Sequence, residues 1–288
     1  MHMKAGIHIS SFNFGSEEKI APVLSRIAKA ADENGFATIT VMDHYFQIFD
    51  KPHTDPMMEA YTTLSFLAAI TKRVKLGTLV TGVVYRQPAL LVKEVTALDV
   101  LSGGRAFLGI GAAWNEEECL ALGFPFPSTK ERFERLEETL QIALCMWGKE
   151  AKPYSGKYYT LQNPHNNPQP VTKPHPQILI GGGGEQKTLK FVAKYADACN
   201  LFGGMDDQML QRKLDILRQH CEEIGREYKS IRKTIMHMVI GSNKEIIARS
   251  EKLAKMGFDE IFFIIPDMEK NGVVAKFGKE IVSTLADI

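Results

Sequence analysis

Stretches that favour a β-strand alternate with longer stretches that favour an α-helix along the whole chain. The strand-like stretches occupy residues 6–10, 38–42, 74–80, 106–110, 177–180, 198–202, 234–240 and 260–265, and a helical pattern follows each one. This alternation is typical of a parallel sheet whose strands are joined by helices. Eight such units predict a closed α/β fold, the (β/α)8 TIM barrel, because open sheets of this class usually stop at about five or six strands.

The longest departure from this alternation is an insertion between the fourth and fifth strands. Residues 129–147 show a helical period, but residues 148–176 contain six prolines and show none. Connections of this length are usually functional. We therefore expect one barrel domain over residues 1–288, with a Pro-rich insertion or lid at 148–176 that contains a small hairpin near 154–159.

Charge and cysteine content limit the partners and the compartment. The 35 basic and 34 acidic side chains leave a net charge of +1, so no field attracts nucleic acid or an anionic membrane. The four cysteines contain no C-x-x-C pair, which favours reduced thiols. No apolar run approaches the ~18 residues of a membrane span. We expect a cytoplasmic protein that binds a small-molecule substrate and copies of itself.

The carboxyl ends of the strands carry the chemistry of such barrels. The second strand ends in Asp43 and His44. An imidazole there can move a proton near neutral pH while the carboxylate or a backbone group fixes its tautomer. The alternative is an Asp that caps the next segment beside a loop His, and the pair alone does not decide between them. On the first strand, His8 is expected to face the barrel interior.

Small residues follow the fourth strand at 111–113. They would let a flat ligand lie against the backbone, while Trp114 and Asn115 would supply a wall and a polar group. The three glutamates at 116–118 are equally explained as the solvated first turn of a helix.

A run of four glycines at 181–184, between the fifth strand and the next helix, is the sharpest local signal. Free amides there can surround an anion at the positive end of a helix. The run matches neither the P-loop nor the dinucleotide-binding pattern, and a flexible turn is the alternative. No His, Cys and carboxylate set has the spacing of a metal site, so no metal is expected.

Taken in order, these motifs resemble the luciferase-like monooxygenase superfamily, in particular its branch of deazaflavin-dependent oxidoreductases. The matching stretches are V-M-D-H at 41–44, L-G-T-L-V-T-G with Y-R-Q-P at 76–88, L-S-G-G-R-A-F-L-G-I-G-A-A-W-N-E-E-E at 101–118, E-R-F-E-R-L-E-E at 131–138 and I-L-I-G-G-G-G-E-Q-K-T-L-K at 178–190. They cover nearly the whole chain in the family's order.

The resemblance implies a barrel that holds coenzyme F420, or alternatively FMN, in its mouth. His44 would be the catalytic residue that donates or accepts the proton, and the Leu79–Val80 peptide bond would be cis and press on the ring. Trp114 stands where sugar-phosphate dehydrogenases of this branch have a catalytic Glu, which argues against such a substrate. The residues expected to bind the cofactor are Asp43, Leu79, Val80, Thr81, Gly82, Gly111, Ala112, Ala113, Asn115, Gly182, Gly183, Gly184, Gln186 and Lys187.

The expected function is hydride transfer between F420 and a small organic substrate. The alternatives are an FMN-dependent monooxygenase of the same superfamily, a flavin-binding protein without catalysis, and an unrelated phosphate-binding barrel such as an aldolase. An aldolase needs a lysine at a strand end, which neither Lys75 nor Lys233 provides. The helices at 61–70 and 88–101 are the candidate surface of a homodimer. Aromatic residues predict a mostly apolar substrate pocket, namely Phe12, Phe46, Phe49, Trp114 and Phe202.

Overall fold

Parallel strands form the centre of the molecule, which is described by a computed structural model over residues 3–48, 53–150 and 152–288. The strands are β1 (Lys4–Ile9), β2 (Thr38–Val41), β3 (Lys75–Thr78), β4 (Thr81–Gly82), β5 (Phe107–Gly111), β6 (Tyr154–Ser155), β7 (Thr160–Leu161), β8 (Gln177–Gly181), β9 (Ala198–Phe202), β10 (Arg232–Met238) and β11 (Glu260–Ile264). All but β6 and β7 belong to one sheet.

The sheet closes through its third strand, which is split in two. The order of the sheet is β3-β2-β1-β11-β10-β9-β8-β5-β4. The half β3 pairs with β2, and the half β4 pairs with β5. A bridge from Leu76 to Ala106 joins β3 to the segment just before β5, so the two ends of the sheet meet. The predicted (β/α)8 barrel is confirmed.

Helices surround the barrel on its outside. They are α1 (Ile20–Glu33), α2 (Ala60–Ile70), α3 (Pro88–Ser102), α4 (Glu116–Ala121), α5 (Thr129–Trp147), α6 (Thr188–Tyr195), α7 (Asp207–Glu223), α8 (Asn243–Met256), α9 (Val273–Phe277) and α10 (Ser283–Leu285). The start of α3 at Pro88 and its end at Gly103, with a φ of 70°, match the preferences of these residues for helix termini. None of the described helices is both long and apolar enough to cross a membrane.

Two phenylalanine rings fill part of the barrel interior. Phe107 and Phe262 are fully buried in one cluster of inward-facing side chains. Glycines on neighbouring strands make room for them, because a Cβ on Gly6 would overlap the Phe262 ring and one on Gly77 would lie 2.6 Å from the Phe107 ring. Such distances do not occur in a close-packed interior. The two rings therefore fill this part of the barrel interior.

The Pro-rich insertion packs against the outer helices. Its hairpin, β6 and β7, donates backbone N–H groups to Glu138 of α5. Further along, Asn166 donates to Thr96 of α3 over 3.1 Å, and the Thr172 hydroxyl donates to Asp99 of α3 over 2.7 Å. None of its described residues lines the barrel cavity. The segment joins the end of α5 to the start of β8, at the amino end of the barrel and away from the cavity, which favours an insertion over a lid.

Candidate active site

A cavity of about 520 Å³ opens at the carboxyl ends of the barrel strands. The ends of β1, β2, β5, β8, β9 and β10 and the split third strand contribute to its wall. The predicted residues that line it are His44, Leu79, Val80, Thr81, Gly82, Gly111, Ala112, Ala113, Trp114, Gly182, Gly183, Gly184 and Phe202. The predicted strand-end motifs and the glycine run therefore face one common space.

His44 is bound to a buried carboxylate. Its Nδ1 lies 2.5 Å from Oε2 of Glu118, a residue of α4 that is fully buried. The same oxygen accepts a hydrogen bond from the Tyr85 hydroxyl over 2.6 Å, and Oε1 accepts one from the Tyr45 amide over 2.5 Å. A carboxylate on Nδ1 keeps the proton on that nitrogen. His44 lines the cavity, and its Nε2 is then the nitrogen left for a bound ligand.

The electrostatics of this group follow from the same contacts. Burial raises the pKa of the Glu118 carboxyl, but hydrogen bonds from His44 and Tyr85 outweigh burial and lower that pKa below its ordinary value of 4.5. Burial first, and then the bond to Glu118, raise the pKa of the Tyr85 phenol far above its ordinary value. Near neutral pH, Glu118 is therefore a carboxylate that accepts from a protonated Tyr85.

Asp43 does not reach the cavity, contrary to the prediction that it approaches the cofactor. Its carboxylate is buried and accepts two hydrogen bonds from Arg86, of 2.7 and 3.1 Å. Arg86 also donates to Glu59 over 2.6 Å, and its Nε lies 3.0 Å from Oε2 of Glu94 without the alignment of a hydrogen bond. The side chains of Asp43 and His44 point in different directions, since only His44 lines the cavity. Because His44 faces the cavity, Asp43 lies behind it.

The split in the third strand forms one wall of the cavity. The Leu79–Val80 peptide bond is cis, and it is the bond that the resemblance singled out. The Val80 side chain lies over two glycines, because a Cβ on Gly181 would lie 2.9 Å from its methyl groups and one on Gly111 would lie 3.1 Å away. On the opposite flank, Ala113 has a φ of 61°, a conformation that costs a non-glycine residue about 1–2 kcal/mol. The wall therefore depends on small residues.

The glycine run forms another wall, beside the start of α6. Gly182 has a φ of 116°, a conformation that favours glycine. The amides of Gly183 and Gly184 donate no hydrogen bond within the described chain, and both residues line the cavity together with Thr188. Free N–H groups near a helix N-terminus are suited to an anion.

Arg132 of α5 also lies on the cavity wall, and sequence analysis missed it. It is 9% exposed, and its guanidinium donates to the carbonyls of Ala112 over 3.1 Å and Pro127 over 2.6 Å. These bonds hold the loop after β5 and place a positive charge at the wall. Its position in the E-R-F-E-R-L stretch was the only signal in the sequence.

Besides Asp43, three further predicted cofactor-binding residues lie away from the cavity wall. Asn115 instead caps α4, where its side chain accepts a hydrogen bond from the Glu118 amide over 3.2 Å. Gln186 is exposed. The Lys187 ammonium lies 5.2 Å from the centre of the Phe133 ring, a distance at which the ring attracts the cation. Helix capping and surface contacts, which residue type alone does not reveal, explain these corrections.

Two of the aromatic residues predicted for the substrate pocket are also elsewhere. Phe12 is fully buried in the core, with its ring edge-on to Phe14 at 6.5 Å. Phe46 packs edge-on against His53 at 4.9 Å and does not line the cavity. Phe49 lies outside the described residues. Trp114 and Phe202 do line the cavity, as predicted.

Sequence analysis also missed Glu118, the carboxylate that binds His44. Glu118 was included in a solvated helical turn, and residues 116 and 117 are indeed exposed. The third glutamate, Glu118, donates its amide to the cap at Asn115, and its side chain is fully buried. Its position three residues after a cap was a signal of an inward orientation, but only packing shows that it meets His44.

Comparison with known proteins agrees with the fold. A family model described as luciferase-like monooxygenase matches residues 3–276. An uncharacterized protein of Mycobacterium tuberculosis is 25% identical over 283 residues, covering 93% of this chain and 95% of that protein. An F420-dependent glucose-6-phosphate dehydrogenase of Kineococcus radiotolerans is 35% identical over 225 residues, covering 76% of this chain and 64% of that enzyme. The solved structure of the coenzyme F420 dependent tetrahydromethanopterin reductase of Methanopyrus kandleri has a TM-score of 0.80 at 17% identity, covering 99% of this chain and 100% of that one.

Proposed function

Because the chain belongs to the luciferase-like monooxygenase family, we propose that it is an F420-dependent oxidoreductase, which transfers hydride between the deazaflavin and a small organic substrate. Relatives named as F420-dependent dehydrogenases support this choice of cofactor. The observation that carries the proposal is that one cavity combines free amides suited to a phosphate with a histidine suited to moving a proton.

The glycine run fits the phosphate of such a cofactor. The amides of Gly183 and Gly184 donate no hydrogen bond among the described residues, and Thr188 and Arg132 line the same cavity. A Cβ on Gly184 would lie 2.8 Å from Oγ1 of Thr188, so a side chain there would close the cradle. F420 and FMN share a ribityl phosphate, and the cradle suits both.

When bound, a deazaflavin supplies or receives hydride at a ring carbon, and the protein positions the reactants and moves one proton. His44 exchanges that proton through Nε2, while Glu118 holds Nδ1–H and balances the charge of the imidazolium that forms. Tyr85 donates to the same carboxylate and fixes its position. Acid or base catalysis of this kind contributes about 10²–10⁴-fold to a rate.

The substrate side of the cavity is mostly apolar. Trp114 is 61% exposed and Phe202 is 55% exposed, although both line the cavity. An apolar substrate that covers them removes this surface from water, which favours binding. Trp114 also stands where the resemblance places a catalytic Glu of sugar-phosphate dehydrogenases. We therefore propose an apolar carbonyl or alkene compound as substrate, and not a sugar phosphate.

Titration of the purified protein with F420 and with FMN tests the choice of cofactor. We expect one F420 to bind per chain, more tightly than FMN, and reduced F420 to be oxidised by members of a panel of apolar carbonyl and alkene compounds. Tighter binding of FMN, with oxygen consumed by its reduced form, would instead support the monooxygenase alternative. Binding of F420 with no oxidation across the panel would support the non-catalytic alternative.

A substitution in the glycine run tests the phosphate site. Gly183→Asp places a carboxylate beside the proposed anion, and a like charge at ~4 Å opposes binding by roughly 4 kcal/mol before screening at an effective dielectric constant of ~20. A Cβ at this position meets only side chains, the nearest being Met205 at 3.3 Å. Affinity for F420 and FMN should fall, whereas riboflavin, which lacks the phosphate, should lose much less. Equal losses would place the phosphate elsewhere.

We also propose that the chain forms a homodimer through α2 and α3. Both helices expose large apolar side chains, with Phe66 38%, Leu90 53% and Leu101 72% exposed. Contact with a second copy would bury this surface. Sedimentation equilibrium should give twice the mass of the chain, and a monomer mass would reject the proposal.

A further inference from the structure

A second histidine lies on the cavity wall and is not part of the proton-handling group. His8, on β1, is 2% exposed and lines the same cavity as His44. The neighbouring residues Ile7 and Ile9 belong to the core between the strands and the outer helices. Because side chains alternate along a strand, His8 faces the barrel interior, as the sequence predicted.

The hydrogen bonds of His8 fix its tautomer. Its Nδ1 lies 2.9 Å from Oγ1 of Thr40 on β2, and the Thr40 hydroxyl donates its single proton to the carbonyl of Ile7 over 3.3 Å. With its proton on that carbonyl, the Thr40 hydroxyl accepts from Nδ1–H, and Nε2 is then the nitrogen with a lone pair. Nε2 has no hydrogen-bond partner among the described residues, and it is not fully buried. It therefore keeps accessible surface on the cavity.

Burial keeps this imidazole neutral. Burial first, and then the nearby His44, lower the pKa of His8 to about 3. Near neutral pH it therefore carries no second proton to give away, and its Nε2 remains an acceptor. The two histidines of the cavity differ in their partner at Nδ1, because His44 has a carboxylate there and His8 has a hydroxyl.

We infer that Nε2 of His8 accepts a hydrogen bond from the ring of the bound cofactor and so determines which way the ring is oriented. The inference rests on the proposed function. A tricyclic flavin or deazaflavin carries an imide N–H at one end of its ring. The deazaflavin also carries a phenolic hydroxyl at the other end, where FMN has a methyl group. Either donor matches a fixed neutral acceptor at the cavity wall.

Two substitutions separate the two nitrogens of His8. His8→Asn retains an amide near the position of Nδ1, where it can bond Thr40, but places nothing at Nε2. His8→Gln places its amide near Nε2 and can restore an acceptor. The affinities of both variants for F420 and FMN are measured by titration, with urea denaturation as the check on folding. We expect His8→Asn to bind F420 about tenfold more weakly, because a buried donor loses its partner, and His8→Gln to stay within threefold of wild type.

Nitrogen NMR of wild-type protein labelled at histidine tests the same contact without a substitution. Nε2 should show the shift of an unprotonated nitrogen in the free protein and should move when F420 binds. An equal loss of F420 and FMN affinity in His8→Asn identifies the imide, and a loss for F420 alone identifies the phenol. Unchanged affinities in both variants, or an Nε2 signal that does not respond to a cofactor that binds, would overturn the inference while leaving the proposed function intact. If wild type binds neither cofactor, the proposed function itself fails and the inference fails with it.

Discussion

Two buried ionic clusters meet at the carboxyl end of β2, and only one of them touches the cavity. His44, Tyr85 and Glu118 form the cavity cluster, whereas Asp43 and Arg86 belong to the hidden cluster behind it. Residues that are adjacent in sequence are divided between the clusters. Asp43 belongs to the hidden cluster and His44 to the cavity cluster, and the same holds for Arg86 and Tyr85. Adjacency in sequence suggested an Asp–His pair, but the carboxylate that binds His44 comes from 74 residues away. In each pair only one of the two side chains lines the cavity.

The clusters also differ in their balance of charge. In the cavity cluster, one carboxylate receives hydrogen bonds from His44, Tyr85 and the Tyr45 amide. In the hidden cluster, the Arg86 guanidinium pairs with three carboxylates, and Oε2 of Glu94 has no hydrogen bond within the described part of the chain. The first arrangement is suited to hold a proton in place, and the second to hold loops together. Substitutions in each cluster separate these two roles.

The largest effect is expected from removing the cation of the hidden cluster. Arg86→Leu leaves Asp43 buried without its partner, which costs about 3–5 kcal/mol of the free energy of unfolding. Urea denaturation at pH 7 measures the loss. Arg218→Leu is the matched control, because its pair with Asp215 is about half exposed and should be worth less than about 1 kcal/mol. Similar small losses in both variants would show that the hidden cluster does not stabilise the fold.

A smaller effect is expected in the cavity cluster, and it depends on pH. In Glu118→Gln the side-chain NH2 faces at least one of the groups that donate to the Glu118 carboxylate, at a cost of about 1.5–3 kcal/mol near pH 7. The pKa of Glu118 is lowered in the folded state from its ordinary value of 4.5, so the stability that ionisation provides is complete above that value and is lost as the pH falls below it. Stability curves of the two proteins should therefore converge at acid pH. Curves that stay parallel would contradict an ionised Glu118.

Glu94 in the hidden cluster should show the opposite pH dependence. Burial first, and repulsion from Glu59 and Asp43, raise its pKa from 4.5 to about 7 despite attraction from Arg86. Wild type should therefore lose stability as the pH rises from 4.5 through 7, because the folded state then holds a proton that the unfolded state has released. Relative to wild type, Glu94→Gln should become more stable by about 1–3 kcal/mol between pH 5 and pH 8. A constant difference over this range would reject the interpretation.

The sequence predicted the features that depend on local pattern and missed those that depend on contacts between distant residues. The alternation of strands and helices identified the barrel, and strand ends identified most of the cavity wall, since both depend on local pattern. Asp43 and Phe12 were wrongly predicted to face the cavity, because the direction in which their side chains point is set by packing and not by local pattern. Glu118 and Arg132 were missed because each acts through a contact distant in sequence. Proline content showed that residues 148–176 are not helical, but not on which side of the barrel they lie.

The neighbouring residues at the end of β2 give the most direct test of the account. The measurement is the rate of hydride transfer in a single turnover of reduced F420 with the best substrate of the apolar panel. His44→Ala should slow this step by at least about 10²-fold while F420 affinity stays within a few-fold. Asp43→Asn should lower stability but keep the rate within a few-fold of wild type. A wild-type rate in His44→Ala, or an equal loss of rate in Asp43→Asn, would contradict the assignment of chemistry to the cavity cluster.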